Sequence, residues 1–213
     1  MTRSQIGEQT PGLPAARTRV QQPTSDFPVV HLEGEIPGPG WDVVVDGLVS
    51  TPVTCSADAI RSMIFESRNW DLHCVSGWSK LECLWEGVPA ARLIDAAHPR
   101  REARYVMATA IGNGYSSCFT LNRARRSLLA WRLDGEELRP EHGGPLRFVA
   151  PPTKWGYKGV KWISRLTLID EFTPGFWEDR VADPSRGHPR RGAASHRGNR
   201  QPVSVLTSNK GTL

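Results

Sequence analysis

Turn signals break this chain at short intervals, and their spacing limits its fold more than any other feature. A Pro/Gly-rich loop runs from Ile36 to Gly40. Asp46-Gly47, the 85–89 run, His98-Pro99, Gly112-Asn113-Gly114, Asp134-Gly135 and Pro151-Pro152 follow. Gly supplies the backbone angles of tight turns and Pro withdraws an amide, so long helices and long strands are interrupted at these points. Between them, Trp41, Val43 and Val45 alternate as one face of a strand. Asp46-Gly47 then predicts a tight hairpin turn, and Pro52 confines the returning strand to an edge. Ser56 is the expected N-cap of a short helix whose apolar face is Ala59, Ile60, Met63 and Ile64. Further strands are expected at Trp70–Val75, Ala103–Ile111, Tyr115–Leu121, Arg147–Ala150 and Val160–Ile169. Further helices are expected at Ala90–Ala97 and from Asn122 to Trp131, with Trp85 to Pro89 as a turn. There is no regular strand–helix–strand series and no Gly-x-Gly-x-x-Gly after a strand, so a dinucleotide-binding doubly wound sheet is not supported. The class expected is α+β, richer in strand than in helix.

Charge divides the chain into three. Residues 1–24 carry three Arg and one acid, a net +2. Residues 25–178 carry 17 basic and 19 acidic residues, a net −2. Residues 179–213 carry seven and two, a net +5. The expected organisation is a disordered arm over 1–24, one domain over 25–178, and a basic disordered tail over 179–213. Order is expected to begin near Phe27–His31 and to end near Trp177-Glu178. A near-neutral body argues against nucleic acid as the partner, because such binding needs a basic face on the folded part. No apolar run approaches the roughly 18 residues that cross a bilayer. No apolar leader follows Arg3, so a cytoplasmic protein is expected. The four cysteines, at 55, 74, 83 and 118, form no Cys-x-x-Cys pair, which removes zinc ribbons and fingers. Cys55, Cys83 and Cys118 are expected to be small buried apolar residues.

Chemistry gathers in three stretches. Asp71–Lys80 sets Cys74 beside His73, then Ser76-Gly77-Trp78-Ser79. A thiolate here would be a soft metal ligand, a nucleophile, or simply a buried thiol. Neighbours on a strand point to opposite faces, so His73 is poorly placed as a general base for Cys74. Gly77 allows close approach of a ligand, and the amides and hydroxyls around it suit an anion. Glu141–Arg147 holds His142 and Arg147 on a Gly-Gly-Pro turn, and an Arg fork suits phosphate. Lys154–Trp162 interleaves cations, aromatics and Gly. That pattern is open between a phosphate cradle, a base-stacking surface and an edge strand protected by lysines.

In order along the chain stand Phe27–His31, Trp41–Gly47, His73–Ser79, Trp85-x-Gly87-Val88, Gly114-Tyr115, His142–Arg147, Lys158–Trp162 and Gly175–Glu178. Together these motifs resemble the sulfite-oxidase-like molybdopterin-dependent oxidoreductases. They are most similar to the short single-domain bacterial members, related to the methionine-sulfoxide reductase catalytic subunit. The resemblance covers about residues 27–178. It implies the strand-rich fold of that family's cofactor domain and a molybdenum–molybdopterin cofactor. It further implies that Cys74 is the protein's metal ligand and the catalytic position. His31, His73, Thr109, His142, Arg147, Lys158, Gly159, Val160 and Lys161 would hold or wall the cofactor. The activity implied is oxygen-atom or electron transfer on a small oxyanion or sulfoxide-type substrate, with an external protein as electron donor or acceptor. Two alternatives stand beside it: a nucleic-acid-binding module built on 154–162 and the Arg-rich tail, and a Cys–His thiol enzyme.

Overall fold

A computed structural model describes residues 38, 40–74, 79–112, 114–151 and 156–180. In chain order the elements are β1 (Asp42–Gly47), β2 (Val53–Ser56), α1 (Ala57–Arg61), β3 (Glu66–Asn69), β4 (Leu72–His73), β5 (Ser79–Lys80), β6 (Leu84–Pro89), α2 (Ala91–Ala96), β7 (Tyr105–Ala110), β8 (Ser116–Thr120), α3 (Leu121–Arg125), β9 (Leu128–Leu133), β10 (Glu136–Glu137), β11 (Arg147–Val149), β12 (Val160–Lys161), β13 (Ile163–Ile169) and α4 (Phe176–Arg180). Two 3-10 turns, Pro140–His142 and Gly156–Lys158, complete the described chain. No helix here is long and apolar enough to cross a membrane. The expected α+β class, richer in strand, is what the chain adopts.

The strands form two main sheets. The first has the order β2-β1-β13-β7-β8, and the second β12-β11-β9-β6-β3 with β10 on β9. β1 and β13 run parallel, and the other pairs of the first sheet are antiparallel. Their inner faces share one core: Val43, Val45, Val106, Phe119, Leu166 and Leu168 from the first sheet, with Val88, Leu129, Phe148 and Val160 from the second. The second sheet is covered on its other face too. There Trp85, Leu128, Ala130 and Val149 pack with Trp70 and Leu72. Side chains alternate across a strand, so Leu128 and Ala130 point one way while Leu129 and Trp131 point the other. The outer face of the second sheet is where the site lies.

Several boundaries differ from expectation, each for a local reason. Asp46-Gly47 is not a two-residue hairpin turn. β2 returns only at Val53, after a longer connection, and it does lie at the sheet edge as Pro52 requires. Gly47 is needed for a different reason: with φ of +83°, it lets β1 press on β13, where an added Cβ would lie 2.3 Å from the Leu168 carbonyl oxygen. The 85–89 run is a central strand, not a turn. Gly87 allows a close approach, since a Cβ there would lie 2.4 Å from the Leu129 oxygen, and a register shift at Glu86/Gly87 absorbs it. The helix expected up to Trp131 ends at Arg125. Thr120, not Asn122, caps it, and the apolar run Leu128–Trp131 is buried on both faces as a strand. Trp162, at φ of +52°, breaks the expected strand Val160–Ile169 and carries the chain from the second sheet into the first.

Among the described residues of the expected strand Trp70–Val75, only Leu72–His73 is paired as strand. Ser56 does cap α1, accepting from the Ala59 amide at 3.1 Å, but the helix stops at Arg61 and Ile64 is exposed. Cys83 and Cys118 are buried as expected, whereas Cys55 on edge strand β2 is half-buried. Phe27–His31, Val75–Trp78, Pro152–Trp155, the arm over 1–24 and the tail from 181 lie outside the described residues.

Candidate functional site

The second sheet aims its cations outward. Arg147 on β11 stands opposite Ala130 on one side and Lys161 on the other, while Phe148 stands opposite Leu129 and Val160. Directly opposed residues share a face. Arg147 and Lys161 therefore leave the sheet together, on the face of Trp85 and Val149, while Phe148 and Val160 enter the shared core. Arg147 is 5% exposed. Its guanidinium lies 5.6 Å over the Trp85 ring, and Nη1 donates to the His142 carbonyl at 2.9 Å. Burial lowers its pKa to about 10, offset by Tyr115 and Cys83 nearby.

Lys161 Nζ donates to the Glu141 carbonyl at 2.6 Å. Burial, and then Arg147 beside it, push its pKa down to about 7. His142 is buried, and Arg139 Nη2 stands 2.8 Å from Nε2. Burial first, then Arg139, Lys161 and Arg147, hold the imidazole down at about 4. The ring is thus neutral at ordinary pH. Arg139 can only donate, so Nε2 accepts and the ring proton sits on Nδ1. The turn carrying these groups is tight. Gly143 has φ of +102° and packs on Lys161, and a Cβ on Gly144 would lie 2.0 Å from the Leu138 oxygen.

Cys74 follows β4 directly and is half-buried. β4 pairs with β5, and His73 Nδ1 lies 2.8 Å from Ser79 Oγ, so the imidazole is engaged along the hairpin. The preceding residues are tied down: Trp85 Nε1 donates to the Trp70 carbonyl at 3.1 Å, and Asp71 Oδ1 accepts from the Glu82 amide at 2.8 Å. The Gly156–Lys158 turn closes on this backbone, since a Cβ on Gly156 would lie 3.1 Å from the His73 oxygen. Tyr115 donates its hydroxyl to the Tyr157 carbonyl. Burial raises its pKa above the usual phenol range; Arg147 opposes the rise, and Tyr157 and Cys74 add to it. Tyr115 is therefore a protonated hydroxyl within electrostatic reach of both Cys74 and Arg147.

The structure thus gathers His142, Gly159 and Lys161 around Arg147. Cys74 is linked to this group through Tyr115, on which both it and Arg147 act electrostatically. A cleft lies between Asp71-Leu72, Trp85, Arg147, Lys158 and Gly159. Gly159 lies against the guanidinium, where a Cβ would be 3.3 Å from Arg147 Nη2. Val160 is fully buried, so it can offer only its main chain. Lys158 also lines the cleft, with its ammonium paired with Glu178 and donating to the Cys118 carbonyl at 3.3 Å. Thr109 lies on β7 opposite Ser116, on the first sheet. His31 lies outside the described residues. Tyr115, Arg139 and Glu178 were not assigned a site role from sequence. Tyr115 and Glu178 stood in motifs already noted, Gly114-Tyr115 and Gly175–Glu178, but one sequence does not reveal that a tyrosine faces a thiol.

These residues fit a phosphate-bearing pterin with a bound metal. Two buried cations crowd one face, and Arg147 helps depress Lys161, so an anion placed between them would stabilise the charged form of both. Among the described residues no group of three or more His, Cys, Asp or Glu could hold a metal ion.

Known proteins agree with this chemistry. The sequence model of the oxidoreductase molybdopterin binding domain matches residues 31–177. The chain is 39% identical over 176 residues to the uncharacterized oxidoreductase YuiH of Bacillus subtilis (strain 168), covering 79% of this chain and 86% of that protein. It is 31% identical to the protein-methionine-sulfoxide reductase catalytic subunits MsrP of Ralstonia nicotianae and Gluconobacter oxydans. Each match covers 74% of this chain, which spans 55% and 59% of their respective lengths. Among solved structures, the sulfane dehydrogenase SoxCD of Paracoccus pantotrophus shares the fold, with a TM-score of 0.56 at 22% identity, over 62% of this chain and 38% of that one. By the match over residues 31–177 and the 39% identity to a relative covered over 86% of its length, the chain belongs to the sulfite-oxidase-like family of the oxidoreductase molybdopterin binding domain.

Proposed function

We propose that the protein is a molybdenum enzyme whose metal is ligated by Cys74, and that it reduces a sulfoxide-type or related small oxyanion substrate with electrons from a separate carrier protein. The observation that carries this is the pair of cations Arg147 and Lys161 on one face of the second sheet, beside neutral His142, with the Tyr115 hydroxyl within electrostatic reach of both Arg147 and Cys74. The 31% identity to the MsrP subunits favours a sulfoxide over other oxyanions. When bound, the cofactor supplies two-electron redox chemistry and oxygen-atom transfer at the metal.

The chain's own residues bind and orient. Arg147 offers a planar fork and Lys161 a point charge to the cofactor's phosphate. His142, neutral, offers an N–H from Nδ1. Gly159 leaves the backbone open beside the guanidinium. Trp85 backs Arg147 with an apolar surface that keeps water from that side. Cys74 gives its thiolate to the metal. Tyr115, held protonated and tied to the Tyr157 carbonyl, presents a hydroxyl dipole near the thiol.

The test is metal and pterin content of protein made in a cofactor-competent host, with and without Cys74→Ser. The variant is expected to fold with an unchanged melting temperature and to lose nearly all turnover of methionine sulfoxide driven by reduced viologen. Wild-type turnover by protein lacking molybdenum, or full activity in the variant, would remove the proposal.

A further inference from the structure

The run Gly175–Glu178 makes no contact proposed above for the cofactor, yet it is packed against the back of the site. Gly175 presses on β8, where a Cβ would lie 2.4 Å from the Ser116 oxygen. Phe176 stacks on Tyr115 with ring centroids 5.9 Å apart. The Glu178 side chain is 3% exposed and pairs with Lys158, itself 4% exposed. Glu178 also accepts from Ser117 Oγ at 2.8 Å, from the Cys118 amide at 3.1 Å and from the Gly175 amide at 2.6 Å. β8 ends the first sheet, so this carboxylate also takes up an amide at the sheet edge.

Lys158 closes the Gly156–Lys158 turn. On one side of it, the Tyr157 carbonyl receives the Tyr115 hydroxyl. On the other, Gly159 lies against Arg147. A buried ion pair is a poor source of net stability, since an apolar pair of similar volume usually does as well. What a charge pair does supply is a fixed direction and length. We propose that Glu178 is a positioning residue for the cofactor site: through Lys158 it fixes the 156–159 turn, and with it the Tyr115 hydroxyl and the Gly159 backbone beside Arg147. Phe176 braces Tyr115 from the same helix. This inference rests on the site reading given above.

Hydrogen exchange on cofactor-free protein tests it, paired with pterin content of protein from the loading host. The double variant Lys158→Met/Glu178→Gln removes both charges and keeps a carbonyl oxygen for the Cys118 and Gly175 amides, while the new side-chain NH2 can donate to Ser117 Oγ. A melting temperature within a few degrees of wild type is expected, with amide exchange across 156–161 at least ten-fold faster and several-fold less pterin retained per chain. Glu178→Asp guards against a double variant that does not fold. It keeps the charge but shortens the reach, and faster exchange over the same segment is expected. Wild-type exchange at 156–161 in the folded variants would overturn the proposal, and so would full pterin retention despite faster exchange. Wild-type protein that carries no pterin at all would remove the cofactor reading, while the exchange result would still judge the brace.

Discussion

At the scale of single residues, the site depends on cations held where water is scarce. Lys161 is the sensitive one, because its pKa falls from 10.5 to about 7. A lowered value means that between pH 7 and 10.5 the unfolded chain holds more protons than the folded one. This group's contribution to stability therefore rises with pH across that window. In cofactor-free protein, the stability difference between wild type and Lys161→Met should grow with pH between about 7.5 and 9.5, by at most about 1.4 kcal/mol per unit. Denaturant melts across that range check it, and a flat difference would contradict it. A bound phosphate favours charged Lys161, so cofactor binding should take up a proton and weaken as pH rises above 7. His142 behaves in the opposite sense of use: held neutral down to about 4, it works as a hydrogen-bond donor and not as a charge.

At the scale of elements, Gly87 and the Thr120 cap carry specific demands. Gly87 sits where β6 meets β9, with 2.4 Å between a notional Cβ and the Leu129 oxygen. Gly87→Ala is therefore expected to cost about 1–3 kcal/mol or more through overpacking, while Gly38→Ala, with nothing within 4 Å, should be nearly silent. Urea midpoints separate them. Thr120→Ala should cost about 1 kcal/mol as a lost cap, with Asn122→Ala near zero. The reverse order would restore Asn122 as the cap and would contradict the described helix start.

These same places mark what the sequence could not tell. Gly87 and Pro89 read as a turn because Gly and Pro usually punctuate, yet here Gly is needed for backbone contact and Pro ends the strand. Leu128–Trp131 read as helix because a short apolar run has no period that separates a buried strand from a buried helix. By contrast, the Ser56 cap, α2 and the β7–β8 hairpin were legible, since caps and alternating runs are local signals. At the site, ordered motifs marked Cys74, His142, Arg147, Lys158 and Lys161 as candidates. The pairing of Lys158 with Glu178 was not legible, because only the fold brings the two together.

At the scale of the whole molecule, one core drawn from both sheets binds the fold together, and the crossing at Trp162 links the cofactor strand β12 to the first sheet's β13. Unfolding should therefore be a single transition, with tryptophan fluorescence and far-UV circular dichroism coincident. Separate midpoints would mean that the sheets melt independently. In the proposed function, Arg147 and Lys161 on the outer face of the second sheet would hold the phosphate and Cys74, just after β4, would bind the metal. The thiolate link is the most exposed part of this account. X-ray absorption at the molybdenum edge counts sulfur neighbours directly, comparing wild type with Cys74→Ser loaded in the same host. The expected result is one sulfur neighbour fewer in the variant, and an identical sulfur count in the two proteins would show that Cys74 does not bind the metal.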